Sequence, residues 1–362
     1  MAANMPTRQY YGTLFPAAVV GSLPRPDFVR EAVMGERPMD AARLGPVLDA
    51  AVAYAVALQE AAGLDVITDG EWRRASYIGV IAELAHGFEL SRNADGRPWT
   101  IVTGELAPKD EGFIAREIEF LKRVSSRKVK ATLPAPALLG ERMWDAEQSR
   151  GAYPTRNEFV EACVPILRRE LALLCKAGAD IVQIDDPHLC LLVDDEVRAG
   201  YEDPEAEADF AVAMTNAVVE GAAGVRLAVH LCRRAGARVR GEACHTGGYG
   251  PIIPYLNRLK VHHLTMEFTS PGTGDAEVFK ALREDLEIGL GCVGVHPGEV
   301  DEPETIVGRV EQALEYLAPE RVVLNPDCGF APGSAAKVDI DEVYTKLKNE
   351  VEAARCLREK YG

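Results

Sequence analysis

The sequence predicts a single α/β domain over residues 1–362, folded as a (β/α)8 TIM barrel. Three observations predict it: eight short apolar runs recur along the chain, helical patterns separate most of them, and nearly every run ends in polar side chains. Strands that alternate with helices form parallel sheets, and eight such units close into a barrel whose active site lies at the carboxyl ends of the strands. A chain of 362 residues exceeds the roughly 250 of a typical barrel, but barrels with insertions reach this size.

The eight runs are rich in valine, isoleucine and leucine. Short runs of this kind, bounded by turn-forming residues, are typical of buried strands. In chain order they are AAVVGS (17–22), LDVITDG (64–70), KVKATLPAP (128–136), ADIVQIDDP (179–187), VRLAVHLC (225–232), HHLTMEF (262–268), IGLGCVGVH (288–296) and RVVLNPDCG (321–329).

Amphipathic patterns lie between the runs, with apolar residues at helical spacing and glycine at several of their ends. The clearest are residues 44–63, 156–178, 208–222 and 304–317. Residues 86–127 break the alternation with a polar stretch, HGFELSRNADGRPWTIVTGEL, which we interpret as an inserted hairpin or lid. Neither an internal repeat nor a linker divides the sequence, so we expect one domain.

The composition favours small-molecule partners. A formal net charge of -16 repels nucleic acids and anionic membranes. No apolar run approaches the roughly 20 residues that span a bilayer, and the first residues lack the pattern of a signal peptide, so we expect a cytoplasmic protein. Eight cysteines are too sparse for a disulfide scaffold, and Cys163, Cys175 and Cys356 lie in helical patterns typical of buried thiols.

Metal-ligating side chains end three of the predicted strands. His230 and Cys232 are two residues apart at the end of the fifth run, so strand alternation points both side chains the same way. Glu267 ends the sixth run and Cys328 the eighth, so the four converge only if the chain closes into a barrel. Two sulfurs, an imidazole nitrogen and a carboxylate oxygen suit Zn²⁺. An H-x-C pair alone is also typical of a core histidine beside a buried thiol.

Four other residues are competing ligands. Cys244 and His245 lie in a glycine-rich loop, and His262 and His263 open their strand instead of ending it. We expect none of the four in the metal site, because the first pair lies in that loop and the second pair stands at the wrong end of its strand for a barrel site.

At these residues the sequence resembles the catalytic barrel of the cobalamin-independent methionine synthase family and its single-barrel relatives, in the superfamily shared with uroporphyrinogen decarboxylase. The resemblance covers nearly the whole chain and implies a zinc-dependent methyl transfer to homocysteine that gives methionine. The segments that carry it, in order, are VVGSLPRP (19–26), DGEW (69–72), VQIDDP (182–187), HLCR (230–233), MEF (266–268) and NPDCGF (325–330).

The resemblance implies a zinc site with a defined set of ligands. They fall on His230, Cys232, Glu267 and Cys328, and Glu267 is the one we expect to exchange most readily. A thiol with an ordinary pKa near 8.5 is mostly protonated at neutral pH, and zinc would convert it to the nucleophilic thiolate.

The resemblance also implies the residues that handle the substrate. Recognition positions for the thiol amino acid fall on Ser22, Glu71 and Asp185, and the two carboxylates would hold the substrate ammonium. A loop histidine that donates a proton in the family falls on His296.

The methyl donor stays open from the sequence. The family's full-length enzymes have a second, N-terminal barrel that helps to hold a folylpolyglutamate, and 362 residues leave no room for it. LPAPALLGERMW (133–144) matches the family's folate-stacking segment poorly, with Trp144 as a residue that either stacks on a ligand or packs in the core. The expected donors are therefore a methylated folate or a methylcobalamin carried by a corrinoid partner protein.

Two other activities agree with parts of the pattern. A transferase resembling epoxyalkane:coenzyme M transferase would use the same zinc chemistry, with cations for its sulfonate from Arg73, Arg74, Arg233 and Arg234. A zinc-free decarboxylase resembling uroporphyrinogen decarboxylase would need an arginine-rich pocket, and it leaves the ligand pattern unexplained. The carboxylates of Glu71 and Asp185 favour an ammonium-bearing thiol.

Overall fold

A parallel sheet forms the centre of the molecule. The computed structural model describes residues 5–36, 39–92, 98–109, 112–233, 245–270, 272–331 and 338–362. Its strands are β1 (Val66–Ile67), β2 (Ala85–Arg92), β3 (Pro98–Pro108), β4 (Lys128–Pro134), β5 (Ile181–Asp185), β6 (Arg226–Leu231), β7 (His263–Glu267), β8 (Glu287–Val293) and β9 (Val322–Pro326). The sheet has the order β1, β4, β5, β6, β7, β8, β9 with every pair parallel, and β2 pairs with β3 in a separate antiparallel hairpin.

The segment at Ala17 and Ala18 closes the sheet into a barrel. Parallel bridges join Ala17 to Leu324 on β9 and Ala18 to Val66 on β1, so the segment lies between the two outer strands. The strand predicted at 17–22 is present only as these bridges, because a glycine and two prolines follow closely and interrupt ladder pairing. The predicted (β/α)8 barrel class is confirmed.

Helices surround the sheet. They are α1 (Thr7–Tyr11), α2 (Asp27–Val33), α3 (Ala41–Ala62), α4 (Ile81–Leu84), α5 (Phe113–Val124), α6 (Pro136–Met143), α7 (Arg156–Ala177), α8 (Pro187–Leu191), α9 (Asp195–Arg198), α10 (Pro204–Val219), α11 (Ile253–Leu256), α12 (Pro303–Leu314) and α13 (Ile340–Tyr361). The four predicted helical patterns correspond to α3, α7, α10 and α12. A capping box between Thr155 and Glu158 begins α7, and Gly178, with φ of 88°, ends it. None of the described helices is long and apolar enough to cross a membrane.

The insertion is shorter than predicted. The hairpin of β2 and β3 lies at the start of the predicted 86–127 insertion, and β3 packs on α6 and α7. The rest of that prediction was wrong, because α5 packs against α7 and β4 as one of the helices around the barrel. Its buried face, Ile114, Ile118 and Leu121, recurs at helical spacing. The action of the hairpin as a lid stays a prediction.

Polar side chains occupy both ends of the barrel interior. Near the amino ends of the strands, Arg226, His263 and Glu287 form a buried cluster. At the carboxyl ends, the register of β5 and β6 pairs Asp185 with His230. Because parallel strands end at the same rim, side chains from distant parts of the sequence meet there.

Candidate functional site

Three metal-ligating side chains meet at the carboxyl rim. Ligand atoms of His230, Cys232 and Cys328 all lie within 4.8 Å of one another, and all three residues are buried. His230 lies on β6, Cys232 follows two residues later, and Cys328 follows β9, so closure of the barrel brings them together. The two Sγ atoms are 3.2 Å apart, beyond the roughly 2.05 Å of a disulfide, so both residues are thiols.

The donor set fits a zinc ion. Zn–S bonds of about 2.3 Å in a tetrahedral site separate two sulfurs by roughly 3.8 Å, so the thiols of Cys232 and Cys328 need only a small outward shift. His230 Nε2 is buried and has no hydrogen-bond partner within the described ranges. A buried polar atom without a partner costs free energy, and a metal ion at this position would remove that cost.

Asp185 orients the imidazole of His230. Its Oδ1 lies 3.1 Å from Nδ1, and a carboxylate accepts the N–H there, so in the neutral ring Nε2 has the lone pair. Burial opposes protonation of the ring, but the neighbouring Asp185 and Cys328 outweigh it and raise the pKa of His230 to about 10. A metal ion at Nε2 would replace that second proton.

Glu267 lies beside the three-residue group. Its Oε1 accepts a hydrogen bond from Arg233 N at 3.0 Å, and its carboxylate also interacts with Cys232. Burial and the charges of Asp327 and Cys328 raise the pKa of Glu267 to about 7. A hydrogen bond with Cys328, together with burial, raises the pKa of Cys232 well above its ordinary value. These acidic groups therefore need a cation to be ionised together, and the assignment of Glu267 as a ligand stays a prediction.

Ser22, Glu71 and Asp185, predicted to bind the substrate, are buried near the same rim. Ser22 Oγ accepts a hydrogen bond from Ala331 N at 3.2 Å, three residues after Cys328. Burial and the charge of Asp185 both raise the pKa of Glu71, so the two carboxylates lie close enough to repel each other. A substrate ammonium between them would relieve that repulsion.

The backbone of Glu71 is strained. Its φ is 60°, in the left-handed region that residues other than glycine rarely adopt. Asp69 Oδ1 accepts a hydrogen bond from Glu71 N at 3.1 Å, and Thr132 Oγ1 donates to Glu71 Oε1 at 2.8 Å. Gly21 packs so closely that a Cβ there would lie 2.7 Å from Glu71 Oε1. Such strain clusters at functional sites, because the surrounding contacts must hold it.

Asp327 joins two of the predicted ligands and was not predicted as a site residue. Its Oδ1 accepts hydrogen bonds from the backbone nitrogens of Phe268 and Thr269, at 2.8 and 3.0 Å. These bonds fix the loop after Glu267 against the residue that precedes Cys328. Its place next to a predicted ligand in NPDCGF was the signal in the sequence.

The structure adds one aromatic residue to the surroundings of the thiols and decides between the two alternatives for another. Burial and the charge of Cys232 raise the pKa of Tyr77, so its hydroxyl lies near the thiols, although no motif in the sequence marked it. Trp144, considered above for ligand stacking, donates from Nε1 to Tyr153 O at 2.9 Å and packs against the core. Trp144 thus has a structural role.

His296 lies on the loop after β8. Its side chain is 48% exposed, and its Nδ1 lies 3.1 Å from Pro297 O and 3.6 Å from Glu299. In the described ranges, no hydrogen bond or ion pair joins it to the three-residue group. Its role as a proton donor therefore stays a prediction.

Three of the four competing ligands lie elsewhere. His245 Nδ1 is 3.5 Å from a carboxylate oxygen of Asp194. His262 and His263 stand at the amino end of β7, as expected, and His263 forms part of the buried cluster there. Cys244 lies outside the described residues.

Three of the four arginines proposed as anion-binding cations have other partners. Arg73 and Arg74 form ion pairs of 2.6 and 2.7 Å with neighbouring acidic residues, and Arg74 is buried. Arg233 stacks over the ring of Tyr249, 4.0 Å from its centroid. Arg234 lies outside the described residues. The two arginines after β1 are therefore poor candidates for binding a sulfonate.

The fold and the cluster define a barrel enzyme with a candidate metal centre at the carboxyl rim. The family described as cobalamin-independent synthase, catalytic domain, matches residues 15–356, and the chain belongs to this family. The methionine synthase of Sulfurisphaera tokodaii is 26% identical over 358 residues, which cover 96% of this chain and 93% of the relative. The methionine synthase of Saccharolobus solfataricus is 28% identical over 356 residues, 96% of each chain.

Solved structures have the same fold. A putative vitamin-B12-independent methionine synthase from Listeria monocytogenes is 26% identical with a TM-score of 0.72, over 95% of this chain and 98% of that one. A B12-independent methionine synthase from Shewanella sp. W3-18-1, in complex with selenomethionine, is 20% identical with a TM-score of 0.79, over 96% and 99% of the two chains. The second likeness is one of fold.

Proposed function

We propose that this chain is a zinc-dependent thiol S-methyltransferase that methylates homocysteine to give methionine. The observation that carries the proposal is the convergence of His230, Cys232 and Cys328 within 4.8 Å at the rim of a barrel of this family. Relatives over nearly the whole length are methionine synthases, which supports methyl transfer as the reaction.

His230, Cys232, Glu267 and Cys328 are the proposed zinc ligands. Bound zinc would keep an incoming thiol deprotonated, and so nucleophilic, at neutral pH. Asp185 holds the imidazole of His230 in the tautomer that a ligand needs. Glu267 lies outside the compact group of three and interacts with Cys232, so it is the ligand that we expect to give way to the substrate.

The carboxylates of Glu71 and Asp185 are proposed to bind the homocysteine ammonium. Both are buried, and Thr132 fixes Glu71 by a hydrogen bond. Held there, the substrate would lie with its sulfur near the thiol cluster, because Asp185 contacts His230 directly. Positioning of this kind removes much of the entropic cost of bringing two reactants together.

The methyl donor is proposed to enter from the solvent side of the rim. A methylated folate or a methylcobalamin on a corrinoid partner would supply the group. His296 is the proposed proton donor to the leaving group, and its exposure leaves it accessible to a donor that arrives from solvent.

A sulfonate-bearing thiol such as coenzyme M is the second acceptor to test. The carboxylates of Glu71 and Asp185 would repel its sulfonate. Arg73 and Arg74 have carboxylate partners already, so the described residues favour an ammonium-bearing thiol.

The test is a titration of zinc-loaded protein with each thiol in weak buffer, while proton release is followed. We expect homocysteine to release about one proton per bound zinc, coenzyme M to release far less, and Cys328→Ser protein to release none. Proton release by neither thiol would contradict the proposal. Turnover in separate reactions with a methylated folate and with methylcobalamin then identifies the donor.

A further inference from the structure

A buried chain of hydrogen bonds runs inside the barrel from β4 to the proposed ligand His230. Lys130 Nζ donates to Gln183 Oε1 at 3.1 Å, and Gln183 Nε2 donates to Asp185 Oδ1 at 2.7 Å. The same Asp185 oxygen lies 3.1 Å from His230 Nδ1. Gln183 and Asp185 are two residues apart on β5, so strand alternation places both on the interior side. All four residues are buried.

The amide of Gln183 has one orientation that satisfies its neighbours. Its Nε2 also lies 3.2 Å from Val20 O, and a backbone carbonyl only accepts hydrogen bonds. The nitrogen is thereby fixed toward Val20 and Asp185, and the oxygen toward Lys130, which donates. Turning the amide over would place its oxygen against two acceptors, so the chain has a defined direction.

The two carboxylate oxygens of Asp185 have different contacts. Oδ1 binds both Gln183 and His230, whereas no hydrogen bond in the described part of the protein uses Oδ2. Oδ1 therefore orients the imidazole, and Oδ2 remains for a substrate ammonium. A rotation of the Asp185 carboxylate would disturb both interactions together.

We propose that Gln183, held in place by Lys130, is a positioning residue of the metal centre. It fixes Asp185 in the rotamer that accepts the His230 N–H, so that Nε2 keeps its lone pair for a metal ion. The inference rests on the proposed function, because it presupposes that a metal binds at His230. A role in stability alone explains the chain poorly, since a lysine and an amide inside a barrel cost free energy that apolar side chains of similar size avoid.

The experiment compares two buried glutamines. Gln183→Met removes both hydrogen bonds that connect Lys130 to Asp185. Gln59→Met is the matched control, because Gln59 is equally buried and uses both amide atoms in hydrogen bonds, with Ala55 and Thr68, outside the chain. Competition with a chelator measures zinc affinity, the visible spectrum of Co²⁺-substituted protein reports ligand geometry, and thermal unfolding reports stability.

We expect Gln183→Met to bind zinc about ten- to a hundredfold more weakly than wild type and to alter the Co²⁺ spectrum. Gln59→Met should lower the melting temperature and change neither metal readout. Wild-type zinc affinity in Gln183→Met would overturn the inference and leave the proposed function intact, whereas a wild-type protein that binds no zinc would overturn both. If Gln183→Met does not fold, Lys130→Met tests the same link, and unchanged zinc affinity there would count against it.

Discussion

Two histidines lie on neighbouring strands at opposite ends of the barrel. In each, one ring nitrogen faces a carboxylate, and the two residues differ in the contacts of the other ring nitrogen. His230 at the end of β6 faces Asp185 through Nδ1 at 3.1 Å, and His263 at the start of β7 faces Glu287 through Nδ1 at 2.7 Å. Nε2 of His263 contacts Thr265 Oγ1 at 2.9 Å, whereas Nε2 of His230 has no hydrogen-bond partner among the described residues.

The residues around the two histidines also differ in their contacts. At the amino end, Glu287 also accepts hydrogen bonds from Arg226, Thr7 and Tyr11, so opposite charges and hydrogen bonds are balanced. At the carboxyl rim, two thiols lie 3.2 Å apart, and a hydrogen bond with Cys328, together with burial, raises the pKa of Cys232. Hydrogen bonds and ion pairs within the amino-end cluster stabilise the fold, whereas His230 Nε2 at the rim is placed to contact a group that binds there.

The largest expected effect tests the rim. His230→Gln should lower zinc affinity about a hundredfold, because a structural zinc site contributes roughly 10–16 kcal/mol and one of four ligands accounts for about 3 kcal/mol of it. Competition with a chelator measures this, with circular dichroism as the control for folding. An affinity within a few-fold of wild type would mean that His230 is not a ligand.

The matching change at the amino end should affect stability instead. His263→Leu removes one of the hydrogen-bond partners of Glu287 and the partner of Thr265 Oγ1, and it should lower the free energy of unfolding by about 1–3 kcal/mol. Zinc affinity should stay within about twofold of wild type. Urea denaturation and chelator competition on the same preparation measure the two quantities, and a loss of zinc without a loss of stability would reverse the comparison.

The pH dependence of stability gives a second test of the role of His263. Burial lowers the pKa of His263 in the folded protein, so below about pH 6.5 the unfolded chain takes up a proton that the folded chain does not. Stability should therefore fall as the pH decreases from 7 to 5, by about 1–2 kcal/mol more in wild type than in His263→Leu. Urea denaturation at each pH, with zinc saturating, measures the difference. Parallel curves would show that His263 does not titrate as described.

The smallest effect that we expect is on kcat/KM, from a substitution near the carboxyl rim. Tyr77→Phe removes a hydroxyl near the thiols and should lower kcat/KM for homocysteine several-fold, about 1 kcal/mol. Zinc content and melting temperature should not change, because no described hydrogen bond of the fold depends on that hydroxyl. Steady-state kinetics with saturating donor measures it, and a large drop in melting temperature would place Tyr77 with the structural residues instead.

Much of the barrel could be predicted from the sequence, because β-branched runs and helical spacing are local signals. The sequence also shows residues of metal-binding types at the ends of predicted strands. Closure of the barrel then brings His230 and Cys328 together from distant positions. The extent of the insertion could not be predicted from the sequence, because the apolar face of α5 follows a long polar stretch. The proposed role of Gln183 was not predicted either, because it depends on the contact of Gln183 with Lys130 on β4 and on the contact of Asp185 with His230 on β6, which only the fold creates.

Elemental analysis of the purified protein measures whether the rim cluster holds zinc. Wild type and His263→Leu should each contain about one zinc per chain, and Cys328→Ser should contain almost none. Absence of zinc from freshly purified and zinc-reconstituted wild type, or full retention of zinc by Cys328→Ser, would show that the rim cluster is not a zinc site.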